Sequence, residues 1–383
     1  ENANWVYKGA VCLQPDETRC LVELSEGGKD AVEVREFDIR TRSFVENGFR
    51  LSSGKQNADW LDADTLYVAR DWGPGTMTES GYPYIVKQWK RGTPIESAQE
   101  IFRGEPTDVA AGAGIWRDED GKVVGVICSR YVSFFESQYD LVTPTGLVRL
   151  PFPLKSSLRA MVGRQLILSL DEDWVWQGHH WAKGAFLSFS FDELKRDAAA
   201  ARATLVYLPE ARESVEQVAT TRNRLLLAVY TNVIGGLHAF SFDGKVWQHK
   251  QLKLPSNASI GVVSTRNEDD KAFVNVAGFL EPDSLYVGDV VRDDVVAPRA
   301  AEAERIPRAI DAPLPRAQEH HARVRNARGQ HHRARGVVHH HAHHAPARVL
   351  ATARVAPAPA HANRGGLPHA APRRREHTAR EDV

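Results

Sequence analysis

A single period organises most of this chain. Between Trp5 and Val296, short runs of strand-forming residues alternate with polar turns. One set of runs covers residues 19–25, 65–69, 122–128, 164–170, 224–230 and 271–276. Each follows a turn, and most of these turns are rich in Asp, Asn or Gly. Those residues suit turns because Asp and Asn side chains bond the nearby backbone and Gly tolerates positive φ. A second set follows the first and ends near a polar marker: Asp38, Lys90, Asp140, Asp192, Asp243 and Asp289. The markers are 52, 50, 52, 51 and 46 residues apart. Irregular loops would not keep such a period.

A repeat of this length and pattern points to an all-β fold, the β-propeller. A four-stranded antiparallel blade with its turns takes about 40 to 50 residues. One blade cannot bury its own apolar faces, so blades stack and cover one another. Middle strands covered on both faces read as continuous apolar runs instead of clean alternation. The sequence therefore predicts a β-propeller over residues 1–296 with about six visible four-stranded blades. The sixth shows no outer strand. A ring of seven would need further sequence before Glu1 or after Val296, and an open ring exposes two blade faces. The Ala-rich segment 191–203 has helical spacing. It predicts a short helix between the third and fourth strands of one blade, on the outside.

Composition matters mainly because it changes at residue 297. Up to Val296 the chain holds 33 basic and 42 acidic residues; beyond it, 16 basic and 7 acidic. The net charge of zero averages two different texts, so it carries no argument about partners. Beyond Tyr286 there is no aromatic residue among Phe, Tyr and Trp, and beyond Lys271 no Lys, yet Arg occurs 16 times after Val296. Drawn from the body's mixture, that many Arg without a Lys would arise roughly once in a few thousand trials. Twelve of the 16 His residues also lie here, among them the tract 339–344. Three readings compete for residues 297–383. Clustered imidazoles could hold a metal, but no Cys or acidic second layer accompanies them. An Arg-rich nucleic-acid arm lacks aromatic residues for stacking. Ala, Arg, Pro, Gly and His are what a GC-rich gene yields out of frame. We take this tail as disordered, out-of-frame text, with a native disordered tail as the alternative.

Other classes are excluded quickly. No stretch approaches the roughly 18 apolar residues of a membrane helix, and no leader pattern precedes the first strand-like run. Neither a membrane nor a nucleic-acid partner is expected. Cys12, Cys20 and Cys128 are too few for a disulfide-built scaffold. Cys12 and Cys20 flank a hairpin turn, so they could meet across strands. The plainer reading is buried thiols in a reducing, cytoplasmic setting.

Catalytic motifs are absent from the text. There is no G-x-S-x-G, and the nearest pattern, 257–261, has Asn257 where the first Gly belongs. No H-E-x-x-H, phosphate-binding glycine loop or paired-Cys zinc pattern occurs. His179 and His180 follow Gly178 and read as a solvated hairpin between the second and third strands of a blade. Gly73 and Gly75 read as a turn, since no helix follows. No catalytic residue, metal site or cofactor site is expected.

Several segments go beyond a generic blade. They are residues 57–68, the loop 71–83, and the run 85–94 with its Lys90, Arg91, Gly92 and Thr93, leading into 100–104. Residues 25–30 running into 32–38 add to them. Together these resemble the propeller domain of the prolyl oligopeptidase family of serine peptidases, across roughly residues 5–290. The resemblance implies a two-domain enzyme. A seven-bladed propeller caps an α/β-hydrolase domain carrying Ser, Asp and His, and admits only short peptides. Nothing here matches that triad, whose chemistry needs the hydrolase domain. The expectation is a gating, size-filtering propeller that is inactive alone. The rival is a non-enzymatic propeller scaffold.

Overall fold

The structure, a computed structural model, describes residues 4–278 and 282–296. The expectations for 297–383, the His tract included, lie outside the described residues.

Among the described residues, six antiparallel blade sheets follow one another along the chain, with a separate two-stranded sheet inserted in the fourth. Blade 1 holds β1 (Trp5–Cys12), β2 (Arg19–Glu26) and β3 (Val32–Asp38). Its outer edge is split into β4 (Ser43–Phe44) and β5 (Arg50–Gly54), both paired with β3. Blade 2 is β6 (Asn57–Asp62), β7 (Thr65–Ala69), β8 (Ile85–Lys90) and β9 (Gln99–Arg103). Blade 3 is β10 (Ala110–Arg117), β11 (Val123–Tyr131), β12 (Ser137–Thr143) and β13 (Gly146–Arg149). Blade 4 starts with β14 (Ser156–Val162) and β15 (Gln165–Leu170), then inserts a hairpin of β16 (Trp174–Trp176) and β17 (His179–Trp181). It finishes with β18 (Phe186–Ser190), helix α1 (Phe191–Arg196) and β19 (Ala203–Tyr207). Blade 5 is β20 (Glu213–Thr220), β21 (Leu225–Thr231), β22 (Ile234–Phe242) and β23 (Trp247–Gln251). Blade 6 is β24 (Ala258–Thr265), β25 (Lys271–Gly278) and β26 (Ser284–Asp289). Where its outer strand belongs, Val296 exchanges both backbone hydrogen bonds with Val287, at 3.0 and 3.2 Å. All six runs of the first sequence set are second strands of blades, and the six markers lie in or just after third strands.

Burial explains the run pattern. Five hydrophobic clusters form the core, and each spans one seam between consecutive blades. On β7, Leu66 and Val68 face the seam with blade 1, while Tyr67 and Ala69 face the seam with blade 3. The period of two thus sends alternate residues into different cores, and the whole strand is buried. On β21, Leu225, Leu227 and Val229 serve one seam and Leu226 and Ala228 the next. Among the described residues, no such cluster joins blade 6 to blade 1. Trp5, Val6 and Tyr7 on β1 are correspondingly exposed, as are Val263 and Leu285 on blade 6.

Blade 4 shows where local chemistry modifies the repeat. The helix is shorter than the Ala-rich run, because the Asp197 carboxylate accepts from Ala199 N (3.0 Å) and Ala200 N (3.3 Å) and turns the chain. Ser190 caps its start by accepting from Glu193 N. The helix is not simply on the outside: Phe191 and Leu194 are buried in the seam between blades 3 and 4. Phe191 presses so closely on β11 that a Cβ at Gly125 would lie 2.6 Å from its ring. The β16–β17 hairpin packs its tryptophans, Trp174, Trp176 and Trp181, into the same cluster.

The cysteine expectation is corrected. Cys12 and Cys20 stand directly opposite each other in the β1–β2 register, with Cα atoms 3.9 Å apart, and form a disulfide. The short cross-strand distance places their sulfurs together. Cys128 is free and buried, as expected of a small strand residue.

The segment 85–94 owes its pattern to one buried charge. Glu36 on β3 is 1% exposed. Its carboxylate accepts from Phe49 N (2.8 Å) and from both terminal nitrogens of Arg91 (2.8 and 3.2 Å). Arg91 lies over the Phe49 ring at 4.3 Å and also pairs with Asp64 at 2.8 Å. Gly92 takes positive φ (72°), and Trp89 Nε1 donates to Thr93 O at 2.9 Å. Blades 1 and 2 are thereby pinned at their edge. Replacing Arg91→Met leaves the buried carboxylate only the Phe49 N–H and a 3.8 Å ion pair with Arg19, and is expected to cost about 3 kcal/mol in urea unfolding, the low end for a broken buried pair. Adding Glu36→Gln should recover much of that loss. In the seam between blades 3 and 4, Phe189→Ala should cost about 3–5 kcal/mol, because Phe189 is fully buried against Phe152 and Trp174.

Candidate functional site

The innermost strands lie against one another: β1 on β6, β6 on β10, β14 on β20 and β20 on β24. Antiparallel order then sorts the connections onto two faces. Turns between first and second strands meet near the axis on one face, here the turn face. Connections between second and third strands, and between blades, lie on the loop face.

The turn face is tied across the axis. Pro15 of blade 1 sits against Gly121 of blade 3, where a Cβ would lie 3.0 Å from the proline ring. Gly121 also needs positive φ (77°), so glycine is required twice over. From blade 5, Arg222 reaches past blade 4 to blade 3. It donates to Asp120 Oδ1 at 2.7 Å and to the Glu119 carbonyl at 3.0 Å. Blade 6 is joined to blade 5 through Asp270, which accepts from Thr221 Oγ1 (2.7 Å) and Asn223 Nδ2 (2.8 Å). Arg164 of blade 4 pairs with Asp192 and lies 3.7 Å from Asp118 of blade 3. The gap left among these turns is lined by Arg117, Glu119, Arg164, Thr220, Arg222 and Asn267.

A partly buried acid lies beside Arg117 of this mouth. Asp59 on β6 accepts from Trp60 N at 2.7 Å. Burial pushes its carboxyl up to about 6, against the opposing pull of backbone donors and of Arg117. Burial likewise lowers Arg117, whose guanidinium donates to carbonyls of blade 2, including Leu61 O at 3.2 Å. A carboxyl raised on folding holds its proton more tightly in the native state. Its contribution is therefore present at pH below its ordinary 3.8 and is lost as pH rises to about 6. Asp59→Asn is expected to flatten the stability profile across that window, as read from urea midpoints at successive pH values.

The loop face has a different character. Phe134 and Phe135, in the β11–β12 connection, are 80% and 76% exposed, and Val233 in the β21–β22 turn is 89% exposed. Leu154 and Leu208 lie exposed on connections between blades. Loop 70–84, the longest connection among the described residues, also rises here.

The residues singled out from the sequence lie on exposed turns and strands, except the buried Cys128. His179 and His180 are exposed on β17 beside a turn with positive φ at Gln177 and Gly178. Ser259 lies in β24, with its hydroxyl 2.8 Å from that of Tyr230. Gly73 and Gly75 form a turn, with φ of 122° and 76°. Burial pushes the Cys128 thiol up to about 12, which leaves no thiolate nucleophile there near neutral pH. No group of three or more metal-ligating side chains occurs among the described residues, and no described helix is long and apolar enough to cross a membrane. Missed from the sequence were Arg222 and Asp120, neither of which was singled out there. Their one signal was that both sit in equivalent turns of the repeat.

Six stacked blades, one face tied across its axis and the other carrying exposed apolar side chains, define a β-propeller. The profile of the prolyl oligopeptidase N-terminal β-propeller domain matches residues 3–298. The chain belongs to the prolyl oligopeptidase family, as its propeller domain. An uncharacterized peptidase of Sinorhizobium fredii, y4nA, is 38% identical over 300 residues, covering 77% of this chain and 41% of that protein. The Rickettsia prowazekii peptidase RP174 is 25% identical, covering 73% and 41%. A solved post-proline cleaving enzyme from Rickettsia typhi superposes with a TM-score of 0.71 at 25% identity, covering 78% of this chain and 45% of that one. This chain therefore spans less than half the length of these relatives.

Proposed function

We propose that this domain gates and size-filters a serine peptidase acting on short peptides. In this reading it docks its loop face on a hydrolase domain that residues 1–296 do not supply. The observation that supports it most is the contrast between the faces. Arg222 and Pro15 draw the turn face together across the axis. Phe134, Phe135 and Val233 leave the loop face apolar and uncovered. A patch of that kind marks an interaction surface. Strand direction agrees: the first strand of each blade starts on the loop face and the fourth ends there, so a flanking domain would join the propeller on that side. Residues 1–296 contribute no nucleophile, base or acid in this account, and residues 297–383 are out-of-frame text.

Two tests follow. Treated with a fluorophosphonate probe, the purified chain should take no label, and stoichiometric labelling would overturn the assignment. Next, residues 4–296 can replace the matched part of the Sinorhizobium fredii relative. The hybrid should cleave a short reporter peptide and spare a folded protein. Phe134→Asp combined with Phe135→Asp should weaken the hybrid's domain association by about tenfold or more, since two exposed aromatic contacts are lost.

A further inference from the structure

The ion pairs that fix neighbouring blades are buried, and the one that crosses the axis is not. Glu36 and Asp108 hold Arg91 and Arg130 with carboxylates withdrawn from solvent. In the Arg222–Asp120 pair the side chains are 35% and 74% exposed. An exposed pair is weak and is screened by salt, and a buried one is screened much less.

Both ends of the crossing contact are stiff. On blade 3, Asp118 Oδ1 accepts from Asp120 N (3.2 Å) and Lys122 N (2.9 Å). Gly121 N donates to Asp118 O at 2.9 Å, and Arg117 Nη1 donates to Gly121 O at 3.0 Å. The acceptor turn therefore keeps its shape without Arg222. On blade 5, Arg222 N donates to Asp269 O at 3.1 Å and Asn223 N to Asp270 Oδ1 at 2.8 Å, which binds this turn to blade 6. The seam beneath is packed by Leu226 and Ala228 of blade 5 against Val274 and Val276 of blade 6. Blades 5 and 6 thus form one unit. Among the described residues, no apolar cluster carries the ring on from blade 6 to blade 1. The unit is held at one side by its seam with blade 4, and across the axis by Arg222 alone. Two stiff bodies that share a seam and one weak, exposed contact can take two relative positions.

We propose that the Arg222–Asp120 pair is a salt-sensitive latch on the axial mouth. It is closed at low ionic strength, and its release lets blades 5 and 6 swing from the blade 3 turn and widens the mouth. The proposal rests on the reading of the domain as a gate, and adds what opens that gate. The opening is one-sided. Pro15 against Gly121 is an uncharged contact that salt does not screen. Arg164 and Asp118 are also screened, but the buried cluster shared by blades 3 and 4 keeps those blades together.

Pulsed electron resonance on the full chain measures this movement. Spin labels go on Thr145→Cys of blade 3 and Lys245→Cys of blade 5. Both residues are exposed in turns between third and fourth strands on the turn face, away from the latch. Cys12 and Cys20 are bonded to each other and Cys128 is buried, so the labels have no competing thiol at the surface. At about 50 mM salt a single short distance should dominate. At about 1 M salt a longer distance should gain about threefold in share, the scale an exposed pair allows. Arg222→Gln and Asp120→Asn should each show that longer distance at low salt and no further response. Both side chains are exposed, so neither change threatens the fold. A distance that ignores salt, that stays short in either variant, or that still responds to salt in either variant would overturn the latch. The gate itself is decided separately by the hybrid peptidase. A hybrid that fails to filter while the latch moves leaves a salt-responsive propeller without a gating role.

Discussion

Everything in this chain depends on burying both faces of the middle strands. A blade has apolar residues on each side and no core of its own. At about 25 cal/mol per Å² of apolar surface removed from water, the seams between blades supply the main favourable term. Five clusters meet this need, one at each seam. The same constraint explains the fully buried β7 and the Gly125–Phe191 contact, where a helix side chain fills a seam that a larger residue would have blocked. It also explains the exposed apolar residues of β1 and blade 6, which lie on faces that no described blade covers.

Polar interactions work on top of this packing and give the blades a fixed mutual position. Glu36 with Arg91 locks the edge of blades 1 and 2, and Asp108, 2% exposed, accepts from Arg130 at 2.6 Å within the blade 2 to blade 3 connection. Charged ties recur on the turn face, where Arg222 crosses to blade 3. On the loop face the pattern reverses: the aromatic side chains of Phe134 and Phe135 are left in solvent. That polarity gives the two faces different roles. In the proposed function, the face held together across its axis restricts passage and the face with uncovered apolar groups receives the hydrolase domain.

Much of the fold was legible because the repeat is a physical necessity of blade packing. Strand positions followed from turn chemistry and apolar runs, and the hairpin carrying His179 and His180 followed from Gly178. What escaped the sequence depended on contacts between distant segments. The helix in 191–203 was visible, but not its shortening by Asp197 or its burial against Gly125, since both need the neighbouring blade. The Cys12–Cys20 bond turned on register, which spacing alone left open. Arg222 and Asp120 are 102 residues apart, and nothing local distinguishes a turn arginine that reaches solvent from one that reaches another blade.

The central claim is that this propeller belongs to a peptide-hydrolysing enzyme as its gate. The most direct measurement is to resequence the gene from about codon 270 and translate all three forward frames for several hundred codons, the span a hydrolase domain needs. The account predicts that another frame restores aromatic residues and lysines soon after the codon for Val296. It should then reach a G-x-S-x-G on a strand-to-helix turn. A confirmed frame with no such elbow in any reading would contradict it and leave a propeller that binds without catalysing.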